Sequence, residues 1–562
     1  MSLMSSLYIG VSGLGVSQNS LNTTAHNLAN VGTKGYVRQQ VIQADSTYLN
    51  WGVTHLSTLQ TGLGVDIATV RQVRDIFLDK AYRQEVGRQG FYEVQYEAVQ
   101  EVESMFGELE GVAFQNSLND LWTSLEELSK TPGQIEARAS VVQNAESFLK
   151  RADIIQEQLK AYQLNLNTQI TDKVNRVNEI AEQIQTLNKK ISYYESNGVE
   201  HANDLRDERN NLLDELGQII KITYKEKPNG IVTVNAEGVS LITEDNVSKM
   251  GTAKVSESSN LLKPVWINYD GVDVFNLDRP ASTADNTDVG SLKGLLVSRG
   301  DDTANFTDML KDADEYNKTI NTSVIMTVQA QFDQLIHGVV TAINDIFSPN
   351  KTISNGTGTI TVLNRDEAPV GMDSEYTMGE ALFNRKTVDR YRKPTAAEMA
   401  DFGLTADDWV YNEEDYNDTY TLFTLGQIEI NKNIKSNYSL LPLSSNSRTG
   451  EVDVKTAEAL VAKWKEPFAT LSPNTLTMNT FKDYYTAFIG DIATRGEQLK
   501  SISDNQAILA GNVDDQRQQV SGVSSDEELT NLIKYQHAYN ASSRYITVID
   551  QMLEHILSTL GR

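Results

Sequence analysis

The sequence predicts a mainly α-helical protein with inserted β structure, and three observations lead to this fold class. Apolar residues recur at heptad spacing at both ends of the chain. The stretch from Gln134 to Asn197 contains no glycine or proline, and short β-branched runs separated by turn residues follow it. We therefore expect terminal helices that form a coiled coil, an elongated helical body, a small inserted β domain and a further outer domain of mixed structure.

The composition restricts the class of function. The chain has 562 residues, 40% of them hydrophobic, a formal net charge of −27 and no cysteine. Such an acidic surface is repelled by phosphate backbones, so we expect no nucleic-acid partner. No apolar run approaches the ~20 residues that span a bilayer, so we expect no membrane insertion. The absence of cysteine excludes disulfides and thiolate nucleophiles.

The first segment, residues 1–40, is predicted to be a helix with one narrow apolar seam. The seam consists of leucines spaced by seven residues: Leu7, Leu14, Leu21 and Leu28. Glycines in its first half weaken the helix by up to ~1 kcal/mol each. Asn30 and Gly32 are candidate stop signals.

The last segment, residues 521–562, is predicted to be a stronger helix. Ser525 and Glu528 have the spacing of a capping box, and no glycine or proline follows before Gly561. Its seam comprises Leu532, Tyr535, Tyr539, Ile546, Ile549, Leu553, Ile556 and Leu560. Seams this narrow suit a coiled coil, so the two ends either pair with each other or wait for another subunit.

The interior divides into five predicted segments. Residues 41–219 form the first part of the helical body, including a long helix and a shorter one returning along it. Residues 220–284 form the inserted β domain, where Asp270-Gly271 is a strong hairpin signal. The remaining segments are the second part of the body (285–347), a mixed outer domain (348–425) and the third part of the body (426–520).

Catalytic and metal-binding signals are weak. The six histidines include no pair at the helical i, i+4 spacing that holds zinc. Glu413, Glu414 and Asp415 could bind a cation or act as an acid–base pair, but they lack the spacing of a calcium loop, so we expect a solvated acidic loop. The sequence thus predicts no enzyme, no metal and no cofactor.

Motifs at both ends resemble those of flagellar axial proteins. Ala29-Asn30, Thr33 and Gly35-Tyr36 match an A-N-x-x-T-x-G-[YF] signature, and Tyr36-Val37-Arg38-Gln39 is similar to its form in the hook-associated protein 1 family. Near the other end, Ser521-Gly522-Val523 with Asp526-Glu527-Glu528, and the stretch Tyr535–Tyr539, resemble the same family. The terminal motifs cover about a sixth of the chain and occur in the family's order.

The resemblance implies a structural subunit of the bacterial flagellum at the hook–filament junction. It implies export through the type III apparatus, an extracellular homo-oligomeric ring, and terminal helices that form an inner tube. The implied partners are the hook protein, the second junction protein (hook-associated protein 3) and a dedicated export chaperone. Alternatives are another axial protein, from the hook or distal rod, or an axial protein with an enzymatic inserted domain.

Two sets of residues are expected to carry subunit assembly. The N-terminal set is Leu7, Leu14, Leu21, Asn27, Leu28, Asn30, Thr33, Gly35, Tyr36 and Arg38. The C-terminal set, which the chaperone would also cover, is the apolar seam from Leu532 to Leu560.

Overall fold

The computed structural model describes residues 3–53, 58–107, 114–196, 201–257, 259–277, 279–356, 358–446 and 451–560. Helix α1 (Leu3–Ala29) is followed by an antiparallel ribbon of four strands: β1 (Gln39–Asp45), β2 (Tyr48–Val53), β3 (Thr58–Gly62) and β4 (Val65–Gln72). Strand β1 pairs with β4, and β2 pairs with β3. The prediction that the helical body begins at residue 41 is therefore wrong. Residues 65–72 contain β-branched side chains at alternate positions, a period-two pattern that favours a strand.

Long helices build the body of the molecule. They are α2 (Ile76–Phe106), α3 (Phe114–Lys130), α4 (Ile135–Tyr194) and α5 (Asn203–Ile219). Helix α4 has 60 residues and corresponds to the predicted uninterrupted helix. Helix α5 returns along α4 and buries Leu213 and Leu216, as expected for a helical hairpin.

Two three-stranded antiparallel sheets follow α5. The first contains β5 (Ile222–Glu226), β6 (Val232–Ala236) and β7 (Val239–Ile242) in that order. The second contains β8 (Met250–Lys254), β9 (Leu262–Trp266) and β10 (Val272–Asp273), with β9 in the centre. Asp270 and Gly271, before β10, have φ values of 53° and 76°. Both are left-handed, as the predicted Asp-Gly hairpin requires.

The second helical part and the outer domain come next in the chain. Helices α6 (Ser291–Arg299), α7 (Ala313–Thr319) and α8 (Val324–Phe347) precede β11 (Asn350–Ser354), β12 (Thr359–Leu363), β13 (Phe383–Arg385), β14 (Tyr391–Arg392), α9 (Ala396–Phe402), β15 (Val410–Tyr411), β16 (Ile428–Ile430) and α10 (Lys432–Ser436). Strand β13 pairs with β16, so the expected boundary at residue 425 cuts a strand pair and is wrong.

The last part of the chain is less uniformly helical than expected. Helix α11 (Val454–Trp464) and the strand pair β17 (Ala469–Thr470) and β18 (Met478–Asn479) precede the long helices α12 (Phe481–Ser521) and α13 (Ser525–Leu560). Helix α12 packs along α2, and α13 packs along α1. The two chain ends therefore meet in one helical pair, which continues towards the body as the α2–α12 pair.

Aromatic residues fill the centre of the body. The ring of Phe106 lies 5.3 Å from that of Phe332 and 5.1 Å from that of Phe488, both edge to face. Phe114 is 5.0 Å from Phe332 in the same geometry. These four residues come from α2, α3, α8 and α12, so one apolar cluster joins helices that are far apart in sequence.

Buried arginines attach the β sheets to the helical body. Nη1 of Arg209, on α5, donates to the carbonyl of Gly230 and to Oδ1 of Asn188 on α4. Nη1 of Arg299, on α6, donates to the carbonyl of Leu262 and to Oδ1 of Asn167, also on α4. Burial lowers the pKa of both guanidinium groups to about 10, so they remain charged at neutral pH. The inserted β structure is thus fixed to α4 by charged donors on backbone carbonyls.

Candidate assembly site at the paired chain termini

Small residues of α1 allow α13 to approach closely. Gly10 is buried, and a Cβ atom added there would lie 2.7 Å from Cγ1 of Ile546. A Cβ atom added at Gly13 would lie 3.0 Å from Oγ of Ser542. Glycine weakens an isolated helix by up to ~1 kcal/mol. In this pair the absent side chains provide the space for the partner helix.

The most buried face of α1 is not the predicted leucine seam. The buried residues are mainly small and polar: Ser5, Gly10, Val16, Ser17, Ser20, Thr24 and Asn27. Leu7, Leu14, Leu21 and Leu28 are each partly exposed. The leucines border the contact with α13, so the expectation that they form its centre is corrected. The signal that sequence reasoning missed is a second series of small residues at positions 10, 13, 17, 20, 24 and 27, spaced by three and four.

Helix α13 has more apolar surface than α1 covers. Of the predicted seam, Ile549 is buried, Leu532, Tyr535, Tyr539, Ile546 and Leu553 are partly exposed, and Ile556 is exposed. The side chain of Leu560 lies outside the described residues. A further set of apolar side chains on this helix is 41% to 72% exposed: Leu529, Ile533, Tyr545, Val548, Met552 and Leu557. At helical spacing these residues lie on both sides of the face that contacts α1, and we call them the exposed apolar set of α13.

Asn27 is the centre of a buried polar network at the base of the helical pair. The side chain is 1% exposed, and its Nδ2 donates to the carbonyl of Gln39 (2.9 Å) and to Oε2 of Glu528 (3.1 Å). Its Oδ1 accepts from the hydroxyl of Tyr36 (2.8 Å) and from the amide of Gln39 (3.0 Å). All four hydrogen bonds of a buried amide are made. Asn27 thereby links α1, the turn after it, β1 and α13.

Arg38 ties the start of β1 to both long C-terminal helices. Its Nε donates to Oε1 of Glu528 (2.8 Å), and its Nη1 lies 3.0 Å from Oε2 of Glu527. Its backbone amide donates to the carbonyl of Ser521, the last residue of α12. The side chain of Glu528 is 2% exposed and that of Glu527 is 63% exposed. The buried ion pair therefore depends on Glu528, and Glu527 is its solvent-exposed neighbour.

The start of α13 differs from the predicted capping box. The hydroxyl of Ser524, not that of Ser525, accepts from the amide of Glu527. The carboxylate of Glu528 faces Asn27 and Arg38 instead of its own helix terminus. Arg38, which is distant in sequence, pairs with the carboxylate of Glu528 that the local pattern predicts as a cap.

The turn between α1 and β1 accounts for the signature residues. Nδ2 of Asn30 donates to the carbonyl of His26, and Oγ1 of Thr33 donates to Oδ1 of Asn30. Gly35 has a φ of 78°, and a Cβ atom added there would lie 1.9 Å from Oδ1 of Asn211 on α5. Only glycine satisfies both the left-handed backbone and this close approach.

Asp207 of α5 anchors the same turn to the body. It is 6% exposed, and its carboxylate accepts from the amide of Val37 (3.2 Å) and from Nε2 of Gln72 (2.7 Å). Burial raises the pKa of Asp207 to about 7. Burial, with nearby carboxylates, also raises the pKa of Tyr36, so this hydroxyl stays protonated and donates. We call Asn27, Tyr36, Arg38, Asp207 and Glu528 the terminal joint.

In the acidic loop of the outer domain, Glu414 contacts neighbouring elements of the fold. Oε2 of Glu414 lies 3.1 Å from Nε2 of His337 on α8, and its Oε1 accepts from the amide of Phe423. Glu413 and Asp415 are exposed. Across the described ranges, no group of three or more histidine, aspartate or glutamate side chains is arranged to hold a metal ion. Among those same ranges, no helix is long and apolar enough to cross a membrane.

Two family models match the chain. The model described as the flagellar hook-associated protein FlgK helical domain matches residues 99–359, and that of the flagellar basal body rod FlgEFG protein C-terminal region matches residues 515–559. The flagellar hook-associated protein 1 of Bacillus subtilis (strain 168) is 27% identical over 572 residues, with 99% of both chains covered. Over almost its whole length the chain is similar to flagellar hook-associated protein 1. The resemblance identified from the terminal motifs is confirmed.

Other members of the family and a solved structure agree. The flagellar hook-associated protein 1 of Salmonella typhimurium (strain LT2) is 25% identical over 576 residues, with 98% of each chain covered. The structure of the flagellar hook junction protein FlgK from Burkholderia pseudomallei matches with a TM-score of 0.54 and 14% sequence identity, covering 79% of this chain and 100% of that one. The solved structure supports the fold class, a helical protein with inserted β structure.

Proposed function

We propose that the chain is a structural subunit of the bacterial flagellum that joins the hook to the filament, and that it assembles through its paired terminal helices. The match of residues 99–359 to the helical domain of FlgK, and the similarity of the chain to hook-associated protein 1, support the structural role and a position on the extracellular flagellar axis. One observation carries the assembly mechanism. After α1 covers one face of α13, the exposed apolar set of α13 remains in contact with solvent on the two flanks of that face.

The exposed apolar set supplies the surfaces on which neighbouring copies would pack. Covering six half-exposed apolar side chains contributes roughly 1 kcal/mol each, so the gross gain is on the order of 5 kcal/mol per subunit. Exposed apolar patches of this kind on soluble proteins mark interaction sites. A head-to-tail contact repeated between identical subunits gives a homo-oligomer, which is a ring where the rotation between neighbours closes.

The terminal joint would hold the helical pair at a fixed angle to the body. Asn27 and Glu528 belong to the pair, whereas Asp207 belongs to α5. Because the network between them is buried and hydrogen-bonded, it resists rotation better than a flexible linker would. A subunit built in this way passes load from the inner helices to its outer domains.

The similarity to hook-associated protein 1 adds three partners to the proposal. The hook protein and hook-associated protein 3 would contact the ring from its two sides. A dedicated export chaperone would cover α13 before assembly, because its exposed apolar set favours aggregation. Helix α1, weakened by its glycines, suits export through the type III apparatus in an unfolded state.

Replacing Leu553 by aspartate tests the assembly mechanism. Leu553 is partly buried on α13, so a charge there disrupts the apolar face of the helix. We expect loss of incorporation into flagella and loss of chaperone binding, with an unchanged circular dichroism spectrum of the body. The control is Gln551→Asp, which places the same charge at an exposed position of the same helix and is expected to incorporate. Normal assembly of the Leu553→Asp variant would refute the mechanism.

A deletion strain separates the junction from other axial positions. A junction subunit is dispensable for the hook but required for attachment of the filament, so we expect complete hooks without filaments by electron microscopy. Absence of the hook itself would instead indicate a hook or distal rod protein.

A further inference from the structure

A cavity with an unusual charge lies between α2, β5 and the loop before α6. It encloses about 280 Å³, and its lining includes Lys80, Arg83 and Lys221. None of the described residues that line it carries a carboxylate. In a chain with a net charge of −27, a cavity lined by three cations and no anion is unexpected.

The carboxylate that faces Arg83 is shared with another arginine. Arg83 is 3% exposed, and its Nε donates to Oδ1 of Asp214 (2.6 Å). Asp214 also accepts from Nη1 of Arg517 (2.6 Å). Nη1 of Arg83 is buried and makes no hydrogen bond within the described part of the chain. One carboxylate thus serves two guanidinium groups, and a charged donor at the cavity is left without an acceptor.

The two lysines have neutral neighbours. Nζ of Lys221 donates to the carbonyl of Asn286 (2.8 Å), and Nζ of Lys80 lies 5.9 Å from the ring of Tyr224. Considering the described residues only, no carboxylate lies within ion-pairing distance of either lysine. Glu237 acts electrostatically on the charge of Lys221 but does not line the cavity. The positive charge of the lining is therefore incompletely compensated.

Tyr224 supplies a wall of the cavity. Its ring lines the cavity below the guanidinium group of Arg83, 4.4 Å from Cζ. Its hydroxyl is buried and makes no hydrogen bond in the described ranges. Burial raises the pKa of Tyr224, so the hydroxyl keeps its proton at neutral pH.

We propose that this cavity is a binding site for an oxyanion, with Lys80 and Lys221 as its donors. The volume corresponds to about nine waters at ~30 Å³ each, which accommodates a phosphate ion or the carboxylate of an acidic side chain with a few waters. It is too small for a nucleotide. The two sources of the oxyanion, a free phosphate ion and an acidic side chain of another chain, share this chemistry.

Calorimetric titration of the full-length protein with inorganic phosphate at low ionic strength tests the proposal. We expect one saturable site, which the double variant Lys80→Gln/Lys221→Gln weakens by roughly tenfold per lysine because each lysine supplies a charge-assisted hydrogen bond. Lys432→Gln, at an exposed lysine that pairs with Glu429 on the outer domain, is the matched control and is expected to bind as the parent does. Tyr224→Phe keeps the charge and the ring, and is expected to bind as the parent does because the hydroxyl is buried away from the cavity.

A second titration distinguishes the two sources. A tetraglutamate peptide that binds the parent, and that phosphate displaces, indicates an acidic side chain as the natural ligand. Binding of phosphate without binding of the peptide indicates a free ion. The proposal is overturned if the parent binds neither probe, or if the double variant binds both as the parent does.

Discussion

Replacing Glu528 by glutamine is expected to loosen the terminal joint selectively. The glutamate is 2% exposed and accepts from Arg38 at 2.8 Å and from Asn27 at 3.1 Å. Glutamine preserves the shape but removes the charge, and its amide group places a donor against one of these two donors. Losing one charge-assisted hydrogen bond and weakening a second costs about 2–3 kcal/mol.

Glu527 provides a control on the same turn of the same helix. It pairs with the same arginine at 3.0 Å, but its side chain is 63% exposed. Surface ion pairs contribute about 0–1 kcal/mol, so we expect Glu527→Gln to have little effect. The comparison changes burial while the charge, the helix and the ionic partner stay the same.

Amide hydrogen exchange measures the difference in local stability between the two variants at the start of α13. A loss of 2 kcal/mol speeds exchange through local opening by about thirtyfold, and we expect this in amides of the first turns of α13 for Glu528→Gln. In an Arg38→Gln background the effect of Glu528→Gln should shrink, because the two side chains share one interaction. Equal exchange rates in the Glu527→Gln and Glu528→Gln variants would refute the argument that the buried pair holds the joint.

Two further predictions concern the turn between α1 and β1 and the side chain of Asp207 that anchors it. Gly35→Ala is expected to destabilise the protein by roughly 1–2 kcal/mol through its left-handed backbone. Gly32→Ala, with open space around its Cα, should change the urea midpoint little, and equal midpoints would contradict this reasoning. Because the pKa of Asp207 is raised to about 7 when folded and is ~3.9 when unfolded, its contribution to stability is present in full below about pH 4 and lost as the pH rises to about 7. Relative to Asp207→Asn, the parent should therefore lose about 1–2 kcal/mol of unfolding free energy between pH 5 and pH 7 in urea titrations, and a constant difference would contradict the shift.

The periodicity of apolar residues within single helices made most of the helical architecture predictable. The 60 residues of α4 lack glycine and proline and keep one apolar face. Local helix propensity and the burial of that face therefore favour the same structure along the whole helix. The Asp270-Gly271 hairpin was likewise predictable, because both positions need left-handed backbone that aspartate and glycine tolerate. These features are local, and local patterns specify them.

Features that depend on distant partners could not be predicted. Glu528 has the spacing of a cap, and only the fold brings Arg38 close enough to compete for it. The leucines of α1 form the more obvious seam, but glycines allow a closer contact with α13 on the adjacent face. The spacing of apolar residues indicates which side chains favour burial. The distance to which two helix backbones can approach each other decides which helix face forms the contact.

Pairing of α1 and α13 within one chain is tested most directly by a disulfide between them. A Cβ atom at Gly13 would lie 3.8 Å from Cβ of Ser542, within the range of natural disulfides, and the chain has no other cysteine. Gly15→Cys/Ser542→Cys is the control, because nothing lies within 4 Å of a Cβ atom at Gly15. After oxidation of assembled flagella, we expect Gly13→Cys/Ser542→Cys to give single chains closed by an internal disulfide, as judged by mass spectrometry. Copies linked to one another, or no linkage at all, would contradict the pairing.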